Sequence, residues 1–175
     1  MIKLKLNQNG FSLVELVVYV ALVALVGSLV LGLMIPMYKV GVEARVSRRI
    51  NESGALMMER ILRETKDAES VNQTGSAFSV NPGIFKINTT NASTTGGTMK
   101  FSLSAGRGLL TFGDGESQYL TSTQTNISEL AFWYLVSSSS EAIRVKITIS
   151  DRQVTLARER TFFGTAVLRG SYLSK

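Results

Sequence analysis

Beginning at position 11 the chain reads FSLVELVVYVALVALVGSLVLGLMIPMYKV, with one carboxylate, Glu15, and then apolar residues at every helical angle. Residues 16–35 carry no charge over 20 positions and are interrupted only by Tyr19, Ser28 and two glycines. A helix of that length rises about 30 Å, the thickness of a bilayer's hydrocarbon core. The pattern predicts a membrane-spanning helix. It is too long for the apolar core of a secretory signal, and no small-residue cleavage exit follows it. Pro36 closes the run, where it removes a backbone donor and predicts a kink in a helix that continues. Past it, Val42, Val46, Ile50, Met57, Ile61 and, more weakly, Ala68 recur near the helical period. The opposite face is charged, from Glu43 and Arg45 through Arg48, Arg49, Glu52, Glu59, Arg60, Arg63 and Glu64 to Lys66. Glu59 and Arg63 are spaced to pair, whereas Glu52 has no cation four residues later.

After residue 71 the period shortens. Residues 72–98 are rich in Asn, Ser, Thr and Gly and read as loops around one short strand at 84–87. The stretches TMKFSL, GLLTF, SQYLT, ISELAFWYLV, AIRVKITIS and VTLARERTFFGTAVL then follow one another as strands. Turns are expected at Gly113-Asp114-Gly115-Glu116 and Asp151-Arg152-Gln153, with a longer connection at 137–140. Ile143, Val145, Ile147 and Ile149 point one way while Arg144, Lys146, Thr148 and Ser150 point the other. That alternation describes an antiparallel sheet with one buried face. Trp133, between Phe132 and Tyr134, is expected in the core. Gly106-Arg107-Gly108 matches no phosphate-binding loop, and turn chemistry suffices for it. The apolar stripe on the second half of the helix supplies the cover the sheet needs. The expected fold class is α+β: a long N-terminal helix, membrane-spanning and then amphipathic, packed on an antiparallel β-sheet head.

Composition narrows the chemistry. The 175 residues contain no cysteine and no histidine. Disulfides, the common zinc sites, Ser-His-Asp and Cys-His nucleophile systems and the usual neutral-pH base all drop out. No nucleophile-base or metal constellation is visible, so neither an enzyme nor a cofactor is expected. The formal charge of +6 includes Lys3 and Lys5. Such a mild excess suits an anionic surface or nucleic acid, and equally a solvated face with extra arginines.

Glu15 is the odd residue. Ser12 and Glu15 fit a capping box, S-x-x-E, which accounts for both without any function. A carboxylate at membrane depth nevertheless costs on the order of 2–3 kcal/mol and wants a cation. A cut between Gly10 and Phe11 would create an α-amino group four residues before Glu15, at a similar depth. One proteolytic event would make the missing partner.

The stretch KLNQNGFSLVEL from Lys5, with its basic leader, Gly10, Phe11, Glu15 as the fifth residue after the cut and an apolar helix behind, resembles the class III signal of type IV prepilins and type II secretion pseudopilins. The resemblance implies cleavage after Gly10 by a prepilin peptidase and N-methylation of Phe11. Glu15 would then pair with the N-terminal amine of an adjacent subunit during filament growth. The resemblance also implies orientation, with the leader inside and the head outside. Charge counting does not, because Lys39, Arg45, Arg48 and Arg49 flank the far end more densely than two lysines flank the near end. The order of elements beyond the signal is similar to J-type pseudopilins and W-type minor pilins, and the absence of a cysteine pair departs from many major pilins.

The expected organisation is a leader at 1–10, a transmembrane and filament-core helix at 11–38, an amphipathic helix half at 39–71 and a sheet head at 72–175. The expected function is a minor (pseudo)pilin that primes or caps a type IV pilus or type II secretion pseudopilus. Its partners would be the prepilin peptidase, other major and minor subunits and the cytoplasmic membrane. Two alternatives stand beside it: a minor pilin whose basic head binds DNA or a surface, and a simple signal-anchored membrane protein in which Glu15 is only a cap.

Overall fold

The computed structural model describes residues 12–89, 97–113, 115–137, 140–152 and 158–170. It divides into two units, 1–44 and 45–175. Helix α1 runs Leu13–Asp67, without interruption at Pro36. In the first unit its large apolar side chains are exposed on all sides, from Leu13 and Val14 through Leu33 to Val40. A helix apolar all round is one made for a lipid or protein interior. Ser28, inside this run, donates its hydroxyl to the Leu25 carbonyl at 2.8 Å, so the polar atom is satisfied within the helix.

In the second unit the helix becomes one-sided. Val46, Ile50, Met57, Met58 and Ile61 are buried, while Arg48, Glu52, Leu56, Glu59 and Arg63 are exposed. The expected stripe is therefore the packed face. Glu64 departs from the expected charged face: it is buried and paired with Arg60 at 3.0 Å. Glu59 and Arg63 pair as their spacing predicts. The chain leaves the helix before position 71, because Ser70–Val71 already form strand β1 against the next strand.

Among the described residues eight strands follow: β1, then β2 (Phe85–Asn88), β3 (Thr98–Ser104), β4 (Arg107–Phe112), β5 (Ser117–Tyr119), β6 (Thr125–Val136), β7 (Glu141–Asp151) and β8 (Glu159–Val167). They form two antiparallel sheets where the sequence pattern led to one. A five-stranded meander holds β1 to β5 in order, and a three-stranded meander holds β6 to β8. The β3–β4 hairpin turns on Ala105 and Gly106, with φ of 50° and 72°. Positive φ at both central residues is the twist-compatible two-residue turn; of Gly106-Arg107-Gly108 only Gly106 belongs to it, and Arg107 and Gly108 already pair in β4.

A loop across β6 joins the two sheets. Ser79 N–H donates to the Phe132 carbonyl at 2.8 Å and Gly83 N–H to the Leu130 carbonyl at 2.7 Å, covering that strand's edge. Asn81 reaches the irregular point of the β6–β7 register between Ile127 and Glu129. Its Oδ1 accepts from Leu130 N–H at 3.1 Å and its Nδ2 donates to the Ser128 carbonyl at 3.3 Å. Side-chain amides of this kind satisfy backbone groups that a bulge frees. The core runs from Ile50, Met57 and Ile61 of the helix to Ile143, Val145, Ile147 and Ile149 of β7, all almost fully buried. Phe85 stacks on Phe132 at 5.2 Å and on Phe101 at 6.1 Å, so aromatic rings fasten one sheet to the other.

Candidate functional site at the first turns of the helix

Ser12 precedes α1, and its carbonyl accepts the first helical bond, from Leu16 N–H at 3.1 Å. Glu15 therefore lies in the first helical turn, where a negative side chain complements the helix dipole. Around it stand Leu13, Val14, Leu16 and Tyr19, all more than half exposed. Among the described residues the Glu15 carboxylate has neither an ion-pair nor a hydrogen-bond partner, and the reciprocal side-chain bonds of a capping box are not formed. The cap that would have accounted for Glu15 without function is thus missing. What remains is an acid on a helix whose next 20 positions, 16–35, are uncharged.

Gly10 and Phe11, the expected cleavage and methylation positions, lie outside the described residues. Pro36 lies inside α1, at the far end of the apolar run. Among the described residues no group of three or more acidic side chains is placed to hold a metal ion.

Residues 5–31 match the family described as the prokaryotic N-terminal methylation motif. The match runs from Lys5 through Gly10, Phe11 and Glu15 into most of the apolar run. The chain thus carries a type IV prepilin-like signal, and one helix long and apolar enough to cross a membrane follows from it. No curated protein and no solved structure matches the chain.

One part of the head differs from its sequence reading. Trp133 is not in the core; it is half-buried on the outer face of the three-stranded sheet, and Phe132 takes the buried place. The register explains the exchange. Phe132 pairs with Val145 and Trp133 with Arg144, so Trp133 shares the face of the β7 arginine. Parity within AFWYLV could have been settled by aligning it with the clean alternation of β7, which requires knowing the pairing. On the same face Lys146 binds Glu129 at 2.7 Å. This contact holds the Glu129 carboxyl below its ordinary range, with the Lys146 hydrogen bond as the main cause and partial desolvation opposing it.

Proposed function

We propose that this chain is a minor (pseudo)pilin subunit that primes or caps a type IV pilus or type II secretion pseudopilus, a structural protein rather than an enzyme. A prepilin peptidase cuts after Gly10, the new amine of Phe11 is methylated, and residues 11–38 hold the subunit in the cytoplasmic membrane with its head outside. On assembly the apolar helix exchanges lipid for the helices of neighbouring subunits. Glu15 then pairs with the α-amine of an adjacent Phe11, and that contact sets axial register.

The observation that carries this reading is the Glu15 carboxylate, without a partner among the described residues, the fifth residue after the expected cut and inside the stretch that matches the methylation motif. A charge left alone at the edge of an apolar helix is unfavourable until a cation arrives, so assembly is coupled to cleavage. N-terminal mass spectrometry on the protein from its own membranes tests it. A chain beginning at Phe11 with an added methyl is the expected result; a chain still beginning at Met1 in cells with an active prepilin peptidase overturns it.

A further inference from the structure

The end of the head at which its part of α1 begins is ringed by guanidinium groups. Arg45 and Arg48 are exposed, while Val46 and Ile50 beside them are buried in the core. Successive helical positions point about 100° apart, so Ser47, Arg48 and Arg49 look in three directions. Two of those directions are met by the far end of β7 and β8. Arg49 holds Asp151 at 3.2 Å, and Arg158 donates to the Ser47 hydroxyl at 3.4 Å. Arg160, also exposed, shares the face of β8 with Phe162, whose ring lies against Gly54. Distant segments thus bring their arginines to one level of α1.

A solvated helix face is the simplest account of such charges, and farther along the helix that account holds. There Arg60 meets Glu64, Arg63 meets Glu59 and Arg169 meets Asp67. The ring differs. Its buried acid, Asp151, is taken by Arg49, and among the described residues Arg48 and Arg160 have neither an ion-pair nor a hydrogen-bond partner. Glu43 and Glu159 are the other carboxylates close by in sequence, and the arginines outnumber them. Position in the chain supplies the rest. Arg45 and Arg49 follow Val40, the last residue of the exposed apolar series, by five and nine positions, about 7–14 Å at the helical rise. Tyr38 and Lys39 stand just before, an aromatic ring and a long cation of the kinds that sit at headgroup level. Arginine side chains reach several ångströms further, into the layer of lipid phosphates that borders the hydrocarbon. Their planar fork matches a phosphate's oxygens.

We propose that this ring binds the phosphates of anionic phospholipids in the leaflet on the head side of the membrane, with Arg48 and Arg160 as its two uncommitted cations. The proposal rests on the reading of α1 as a membrane anchor and adds the lipid class and the residues that choose it. The contact belongs to the subunit held in the membrane and is given up when the helix leaves lipid, so the packing of helices and the role of Glu15 are untouched.

Native mass spectrometry of the full-length chain, released from nanodiscs of equal parts phosphatidylglycerol and phosphatidylcholine, reads which lipids stay bound. Retention of phosphatidylglycerol over phosphatidylcholine on the order of twentyfold is expected, from two surface cations. Arg48→Gln and Arg160→Gln each lower that preference about fivefold, and together they remove it. Lysine at either position keeps most of it, because a point charge also binds phosphate. Both side chains are exposed and partnerless among the described residues, so thermal melting of the head stays that of the parent.

Equal retention of the two lipids overturns the proposal, as does a preference that survives the double glutamine variant. A preference lost instead with Lys3→Gln and Lys5→Gln also overturns it, because it puts the lipid at the other end of the helix. Arginine-dependent capture of a short DNA duplex by the chain in pure phosphatidylcholine nanodiscs, tighter than the lipid preference, overturns it in favour of nucleic acid. Alkaline carbonate extraction of native membranes is read alongside. A chain that resists extraction but shows no lipid preference loses the ring's role and keeps its anchor; a chain that is extracted loses the anchor itself.

Discussion

Asp151, at the end of β7, has a fully buried side chain, and Arg49 of α1 holds its carboxylate at 3.2 Å across 102 positions of sequence. The arginine is itself one-third exposed, so the pair joins a buried acid to a partly solvated cation. Removing one partner of a buried pair is costlier than the pair is worth, because the remaining charge is left in a poor solvent. Arg49→Met is expected to destabilise the head by about 1–3 kcal/mol, less than for a fully buried pair because water reaches the arginine. Denaturant melting of the variant against the parent checks this, and Arg49→Lys should recover part of the loss.

Close approach of helix and sheet makes a second prediction. A Cβ on Gly54 would overlap the Phe162 ring, so this glycine lets β8 lie against α1. Gly54→Ala gains about 1 kcal/mol of helix propensity but forces the ring aside, an overpacking cost of about 1–3 kcal/mol. Net destabilisation is expected. Adding Phe162→Leu should relieve it, and a double-mutant cycle should show a favourable coupling between the two changes.

One side chain, Asn81, satisfies two backbone groups beside the irregular point of β6. Asn81→Ala removes the acceptor for Leu130 N–H and the donor to the Ser128 carbonyl, and a loss of about 1–2 kcal/mol is expected in thermal melting. Asn81→Asp keeps the first of these bonds and should fall between alanine and the parent.

Glu129 gives a pH signature. Its carboxyl titrates below the ordinary glutamate value, chiefly through the Lys146 hydrogen bond. A depressed folded-state value means that the contribution to stability is present above the unfolded value and is lost as pH falls through the folded one. NMR titration of the Glu129 side chain should show the lowered value, and Lys146→Met should return it upward.

At the other end of the chain, Glu15→Ala should leave cleavage and membrane insertion intact. Insertion becomes easier by about 2 kcal/mol at most, since a carboxylate is removed. Filament incorporation, by contrast, should drop on the order of tenfold, measured by shearing and immunoblotting against the membrane-retained pool. Equal incorporation of this variant would leave Glu15 without an assembly role.

The sequence by itself determined the features that depend on neighbours a few positions apart. An unbroken apolar run, a 3.6-residue stripe from Val46 to Ile61 and a two-residue alternation from Ile143 to Ile149 each report a local period, and the backbone obeys it. The prepilin-like signal at residues 5–31 was legible for the same reason, being a short linear motif. Only tertiary structure decided what meets across the chain. That the strands divide into two sheets, that Phe132 rather than Trp133 enters the core, and that Glu64 is buried all depend on pairings between distant segments. Arg49 finding Asp151 and Arg158 reaching Ser47 depend on them as well. A one-position shift of β6 against β7 would exchange the two faces of the strand without changing its alternation. Local pattern fixes the period of each element, and only the packing of elements against one another fixes which side of each faces the core.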